Sequence, residues 1–204
     1  MYGVLKSTTN TGLDSELQYV FSTPLQVISR QPVFASDTLS LKHRVNSQKV
    51  QRWEITAQIA QTNDSSGFLV HSVVNGMDTP FPLRMPQVYS PVKLSQTLAL
   101  TMTATALVGA SSINITGLGA VDLTGQFISF AGNNKVYLVT SKGVSGANIG
   151  IAPALITNIA STTAIITGDK VTMMAYYDLD TQLGIQYDDG VLVNNGAVKY
   201  IEAL

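Results

Sequence analysis

The 204-residue sequence has no cysteine, two histidines and one tryptophan. Without cysteine there is no disulfide framework, no thiol nucleophile and no thiolate-held metal, and the redox compartment stays open. Charge is scarce as well. Asp, Glu, Lys and Arg make up 12% of the chain, about half the ~25% of an ordinary soluble protein. Twelve basic and thirteen acidic side chains leave a net charge of −1, so no bulk field draws nucleic acid or an anionic membrane. A surface this close to neutral favours association. Long apolar runs are also missing. The most apolar stretch, 98–110, is 13 residues long and holds three threonines, short of the ~20 that a spanning helix needs. The opening Met1-Tyr2-Gly3-Val4-Leu5-Lys6 lacks the basic and then apolar order of a secretory signal. A soluble product is expected.

What the chain has instead is hydrophobe and hydroxyl: 45% hydrophobic residues, 18 Ser and 21 Thr. That hydrophobic share excludes a disordered chain. The dominant period is two. Across 98–107, Leu98, Leu100, Met102, Ala104 and Ala106 alternate with Ala99, Thr101, Thr103 and Thr105, the pattern of a half-buried strand. Across 50–60, Trp53, Ile55, Ala57 and Ile59 share one face, while Arg52, Glu54, Thr56 and Gln58 take the other. Upstream, Leu39, Leu41, His43 and Val45 alternate with Ser40, Lys42 and Arg44. These two segments are expected to form one long hairpin over 39–60. A four-residue loop at 46–49 would set Leu41 against Glu54, apolar against polar. Since a one-residue slip flips a strand's faces, an odd-length loop or a bulge is predicted there.

Residues 64–76 break the β rhythm. They open with Asp64-Ser65-Ser66 and end at Gly76, and Leu69, Val70, Val73, Val74 and Met77 make a helical stripe, so one short helix packed on a sheet is predicted. The Pro-rich passage 79–91 follows and reads as an extended connector or edge. From 94 to 168 only Asp122, Lys135 and Lys142 are charged, a shift in texture that marks a domain boundary. In this block 125–131 and 135–140 flank Gly132-Asn133-Asn134 as a strand–turn–strand signal, and 112–116, 148–155 and 170–177 supply further strands, enough for a small closed barrel. The tail regains charge and carries an Asp189-Gly190 turn within 185–193, then a strand over 198–202. The expected fold is therefore mainly all-β. Residues 1–90 and 179–204 form a β-sandwich with one short helix and the long hairpin, and 91–178 form an inserted small OB-like β-barrel.

A search for chemistry leaves little. Neither His43 nor His71 belongs to a nucleophile motif such as Gly-x-Ser-x-Gly. Asp178, Asp180, Asp188 and Asp189 approach the spacing of a calcium loop, but Leu183 stands where the turn glycine is required. They read as turn and solvated-edge residues. Gly117-Leu118-Gly119 lacks the third glycine of a dinucleotide fingerprint, and there is no Gly-Lys-Ser/Thr phosphate loop. The basic group Lys42, His43, Arg44, Lys49 and Arg52 reads as a solvated hairpin flank. Phe127, Phe130, Tyr137, Tyr176 and Tyr177 read as core. No catalytic residue, cofactor or metal is expected, and an enzyme is not.

The order of these blocks resembles a known family. Gln51-Arg-Trp-Glu-Ile-Thr-Ala-Gln58 in the first block, then Gly125-Gln-Phe-Ile-Ser-Phe-Ala-Gly-Asn-Asn-Lys-Val-Tyr-Leu-Val139, Ile151-Ala-Pro-Ala-Leu155 and Gly168-Asp-Lys-Val171 in the second, resemble the distal tail protein of long-tailed siphophages in its T-five-like version. The resemblance implies a structural virion protein of the tail tip, assembled in the host bacterial cytoplasm. It implies a homohexameric ring joining tail tube to tail-tip hub, with DNA passing through its lumen and an OB-type barrel projecting outward. It carries no active site. Lys42, Arg44, Arg52 and Glu54, on the outer face of the hairpin whose inner face is Leu41, Val45, Trp53 and Ile55, are the expected ring, lumen or subunit contacts. With only Lys135 and Lys142 as cations in its middle, the barrel is not expected to bind nucleic acid specifically, and no membrane insertion is expected. The alternative function is a carbohydrate-binding module that attaches to the host surface through the barrel.

Overall fold

A computed structural model describes residues 4–7, 17–37, 43–47, 50–59, 80–87, 99–119, 121–143, 148–178, 186–188, 191–193 and 197–204. Among them the chain is almost wholly β. The first strands are β1 (Val4–Ser7), β2 (Leu17–Arg30), β3 (Val33–Asp37), β4 (His43–Ser47), β5 (Arg52–Ile59) and β6 (Phe81–Arg84). The middle ones are β7 (Leu100–Met102), β8 (Ser112–Thr116), β9 (Phe127–Phe130), β10 (Val136–Val139), β11 (Asn148–Ala152) and β12 (Ala164–Thr167). A single 3₁₀ turn, Gly168–Lys170, leads to β13 (Thr172–Tyr177), β14 (Gln186–Asp188), β15 (Val191–Val193) and β16 (Ala197–Glu202). The segment predicted as a helix, 64–76, lies outside the described residues.

Two closed barrels result. One runs β1-β2-β5-β16-β13-β6, the other β10-β11-β8-β7-β12-β9, and every neighbouring pair is antiparallel. Closure removes the strand edges that an open sheet must protect. The second barrel's strands are consecutive in sequence and fall between β6 and β13 of the first. The body expected as a sandwich is thus a ring of strands that buries alternate residues inward. In β16 these are Val198, Tyr200 and Glu202, and in β13 Met173, Ala175 and Tyr177. Phe81, Tyr177 and Tyr200 pack against one another, tilted or edge to face, with ring centroids 5.1–6.0 Å apart.

Four expectations need correction. First, the long hairpin does not form. β4 pairs with β3, Ala35 opposite Val45, whereas β5 lies between β2 and β16. The parity conflict across 46–49 is resolved by leaving the two strands unpaired, not by a bulge. β2 is long enough to cover the whole of β5, and it carries the bulge itself: the register shifts between Ser22 and Gln26, around Pro24, which has no N–H to give the ladder. Second, β13, expected in the inserted barrel, belongs to the first barrel, pairing with β6 and β16. Third, part of the Pro-rich passage is a strand. β6 accepts Pro82 because its ladder to β1 is one pair long, Leu5 opposite Leu83. Fourth, the ten-residue strand over 98–107 shortens to β7 plus a bridge between Ala106 and Ile159. Ala104 and Ala106 have only a methyl each to bury, too little to hold the alternation.

The hairpin of β9 and β10 forms as the turn residues predict, Tyr137 opposite Ile128. β14 and β15 pair antiparallel, Asp188 opposite Val191. At Gly117 the backbone has φ +87°, and a Cβ there would overlap the Ala99 carbonyl oxygen, so only glycine fits.

Candidate functional site

The two barrels meet at strands that are apolar on both faces. Ile128, Phe130, Tyr137 and Val139 fill the second barrel, whereas Phe127, Val136, Leu138 and Ile166 pack against the core of the first. Trp53 on β5 meets Phe127 on β9 edge to face at 5.2 Å and donates its indole N–H to the Val136 carbonyl at 2.8 Å.

Into this dry contact the chain puts an ion pair. Lys135, next to the start of β10, and Glu202, at the end of β16, are both fully buried and bonded to each other. The three N–H bonds of the lysine are all used, the other two by the carbonyl and the side-chain Oε1 of Gln51 at 2.9 and 2.8 Å. Glu202 in turn accepts the backbone N–H of Trp53 at 2.9 Å and that of Val136 at 3.2 Å. One carboxylate therefore ties a strand of each barrel. Burial pulls the Lys135 ammonium below its ordinary value, and the charge and hydrogen bond of Glu202 pull the other way. A second clamp lies nearby. Gln87 accepts the Phe127 N–H at 2.8 Å and donates to the Phe127 carbonyl at 3.1 Å, standing in for a neighbouring strand.

Beside the junction, on the outer face of the first barrel, three cations surround one carboxylate. The registers Arg30 opposite Arg52 and Ile201 opposite Glu54 bring β2, β5 and β16 together here. Glu54 accepts from Arg30 Nε at 3.0 Å and from Arg52 Nε and Nη2 at 3.2 and 3.0 Å, and Lys199 Nζ stands 3.3 Å away. Lys199 also reaches Asp178 at 2.7 Å. Burial pushes the Glu54 carboxyl up, but the hydrogen bonds from Arg30, Lys199 and Arg52 together outweigh it and hold the group below the usual carboxylate range. The Asp178 hydrogen bond is the main influence raising the Lys199 ammonium above an ordinary lysine.

Of the four residues expected as contacts, Arg52 and Glu54 come together in this cluster. The outward, wet placement expected for Glu54 is corrected: its side chain is 1% exposed, capped by long cationic neighbours. Arg44 is on β4, opposite Ser36, in a different sheet. Lys42 lies outside the described residues, as do His71, Asp180 and Asp189. His43 opens β4, Asp188 ends β14, and Asp178 is held by Lys199. Sequence reading missed Arg30, Lys199, Gln51, Gln87, Lys135 and Glu202. One signal was present: Glu202 shares the parity of Val198 and Tyr200, an acid in phase with an apolar face. Among the described residues no group of three or more His, Asp or Glu could hold a metal, and no helix is long and apolar enough to cross a membrane.

A scan of protein-family models returns no match, and a search of curated proteins returns none either.

Proposed function

We propose that this chain is a structural subunit of the tail tip of a long-tailed phage, six copies forming a ring that joins the tail tube to the hub and lets DNA pass. The observation that carries the reading is the β3–β4 ribbon. Residues 31–36 are exposed throughout, Val33 at 53% and Phe34 at 63%, and the ribbon forms a sheet of its own. An isolated two-stranded ribbon is marginally stable in water, and apolar side chains exposed on it favour burial against another subunit. A ring contact is heterologous, one patch meeting a different patch on the next copy, and a projecting ribbon suits that geometry. The locked junction also supports the reading, because a barrel fixed to a ring can transmit force. Native mass spectrometry and negative-stain imaging of the purified protein, alone and with tail-tube protein, test it. Ring-sized particles that Phe34→Asp abolishes without lowering the melting temperature are expected; a monomer in both settings removes the proposal.

A second reading, carbohydrate attachment, draws on a groove of about 540 Å³ on the second barrel, where Asn133, Asn134, Thr157, Asn158 and Thr163 present amides and hydroxyls. Titration with host-surface glycans, read by amide chemical shifts at 131–134 and 156–160, tests it.

A further inference from the structure

The groove beside Glu54 has a composition that neither reading uses. It encloses about 540 Å³ and is lined by the charged Arg30, Arg52, Lys199 and Glu54 together with the apolar Pro32 and Val50. A guanidinium carries five N–H donors. Glu54 takes Nε of Arg30 and Nε and Nη2 of Arg52. The other N–H groups have no partner among the described residues, and the two side chains are 60% and 49% exposed. Glu54 thus pins both guanidiniums while leaving most of their donors unused. Counting Asp178, three cations face two carboxylates, an excess of one positive charge.

Gln51 adds an independent observation. It lines the same groove, is 2% exposed, and its Oε1 is fixed by Lys135, which sets the orientation of the amide. Its Nε2 is buried with no hydrogen-bond partner. Gln31, whose amide N–H donates to the Ser29 hydroxyl at 3.4 Å, and Leu204 complete the lining.

We propose that this groove docks an acidic, extended segment of a protein partner. Its carboxylates bind Arg30 and Arg52, and its apolar side chains lie on Val50 and Pro32. A nucleic-acid strand fits less well. Neutralising phosphates takes a run of cations and, for single strands, stacking aromatics, whereas this groove has three cations and no aromatic lining. The proposal stands on the groove alone and does not rest on ring assembly.

The test uses the full chain and a fluorescein-labelled peptide of alternating Glu and Val, with a Lys–Val counterpart and an oligothymidylate as competitors. Anisotropy should report binding of the acidic peptide that weakens with salt. Arg30→Gln and Arg52→Gln should each weaken it about tenfold or more, the scale of a hydrogen bond to a charged group. Val50→Glu, at a half-exposed position, should abolish it while melting like the parent. Arg30→Gln and Arg52→Gln each take a partner from the buried Glu54 and should melt lower, so their binding is compared well below each variant's own melting temperature. Failure of the acidic peptide to bind, equal binding by the Arg30→Gln/Arg52→Gln double variant, or equal binding of either competitor overturns the proposal. Loss of self-association in the double variant without any peptide binding assigns the groove to a second copy and overturns it too. Ring assembly by a variant that has lost the peptide separates this proposal from the tail-tip reading.

Discussion

The two barrels reach the same architecture with opposite means. The second is built from consecutive strands, and of the three charges between 94 and 168 one, Lys135, is buried at the junction. The first is assembled from both ends of the sequence and carries Arg30, Arg52, Glu54, Asp178 and Lys199 on its outer face. Charge is therefore not needed to close a small barrel, since alternate inward hydrophobes do that in both. The charged residues gather where the first barrel meets the second and where it borders a groove. A barrel wall that must be dry on both faces, as β9 and β10 are, reads as an almost continuous apolar run; one that faces water on its outer side can carry ions there.

The largest expected effect falls on the junction. Lys135→Met leaves Glu202 buried and unpaired, and stability should drop by about 3–5 kcal/mol, with much of it recovered when Glu202→Leu is added. Chemical denaturation followed by Trp53 fluorescence and by far-UV circular dichroism should show a single coincident transition in parent and variants. Two separated transitions would break the comparison by showing that the barrels melt independently. Gly117→Ala perturbs the second barrel alone, forcing a Cβ onto the Ala99 carbonyl at positive φ, at a cost of about 1–3 kcal/mol. If the junction couples the barrels, the Trp53 signal of the first barrel should shift with it.

Trp53→Phe keeps an aromatic ring opposite Phe127 but leaves the Val136 carbonyl without its donor, a loss of about 1 kcal/mol, read from the denaturation midpoint. The smallest effect is pH-dependent. Because its cationic partners depress the titration of Glu54, its contribution is fully present above the unfolded carboxylate value of about 4.3 and is lost as pH falls through the lower folded value. The stability difference between parent and Glu54→Gln should be constant near neutrality and shrink in acid below about pH 4.

The β character was legible in the sequence because alternation needs only local information. Trp53, Ile55 and Ala57 point inward as their spacing requires, and Gly132-Asn133-Asn134 turns where its residues demand. Partner choice was not legible. Nothing in 39–60 says that β5 will prefer β2 and β16 over β4, since those partners are distant in sequence. The same limit misassigned β13, whose alternation is equally suited to either barrel. Glu54 read as exposed because parity put it outside, and its burial comes from Arg30 and Lys199 on other strands. Lys135 and Glu202 lie 67 residues apart, and no spacing rule joins them.

The place of β16 between β5 and β13 also sets an order of events during synthesis. The second barrel has all its strands once residue 167 has left the ribosome, whereas β5 must wait for residues 197–202 before its far edge is covered. At ~5–20 residues per second that edge, with Trp53 and Ile55 beside it, stays open for roughly seven to thirty seconds after β5 emerges. During this interval the half-built first barrel is a template for strands of other nascent chains, so crowded expression and slow translation through 60–196 should raise the insoluble fraction, while a fully synthesised chain should refold with little loss.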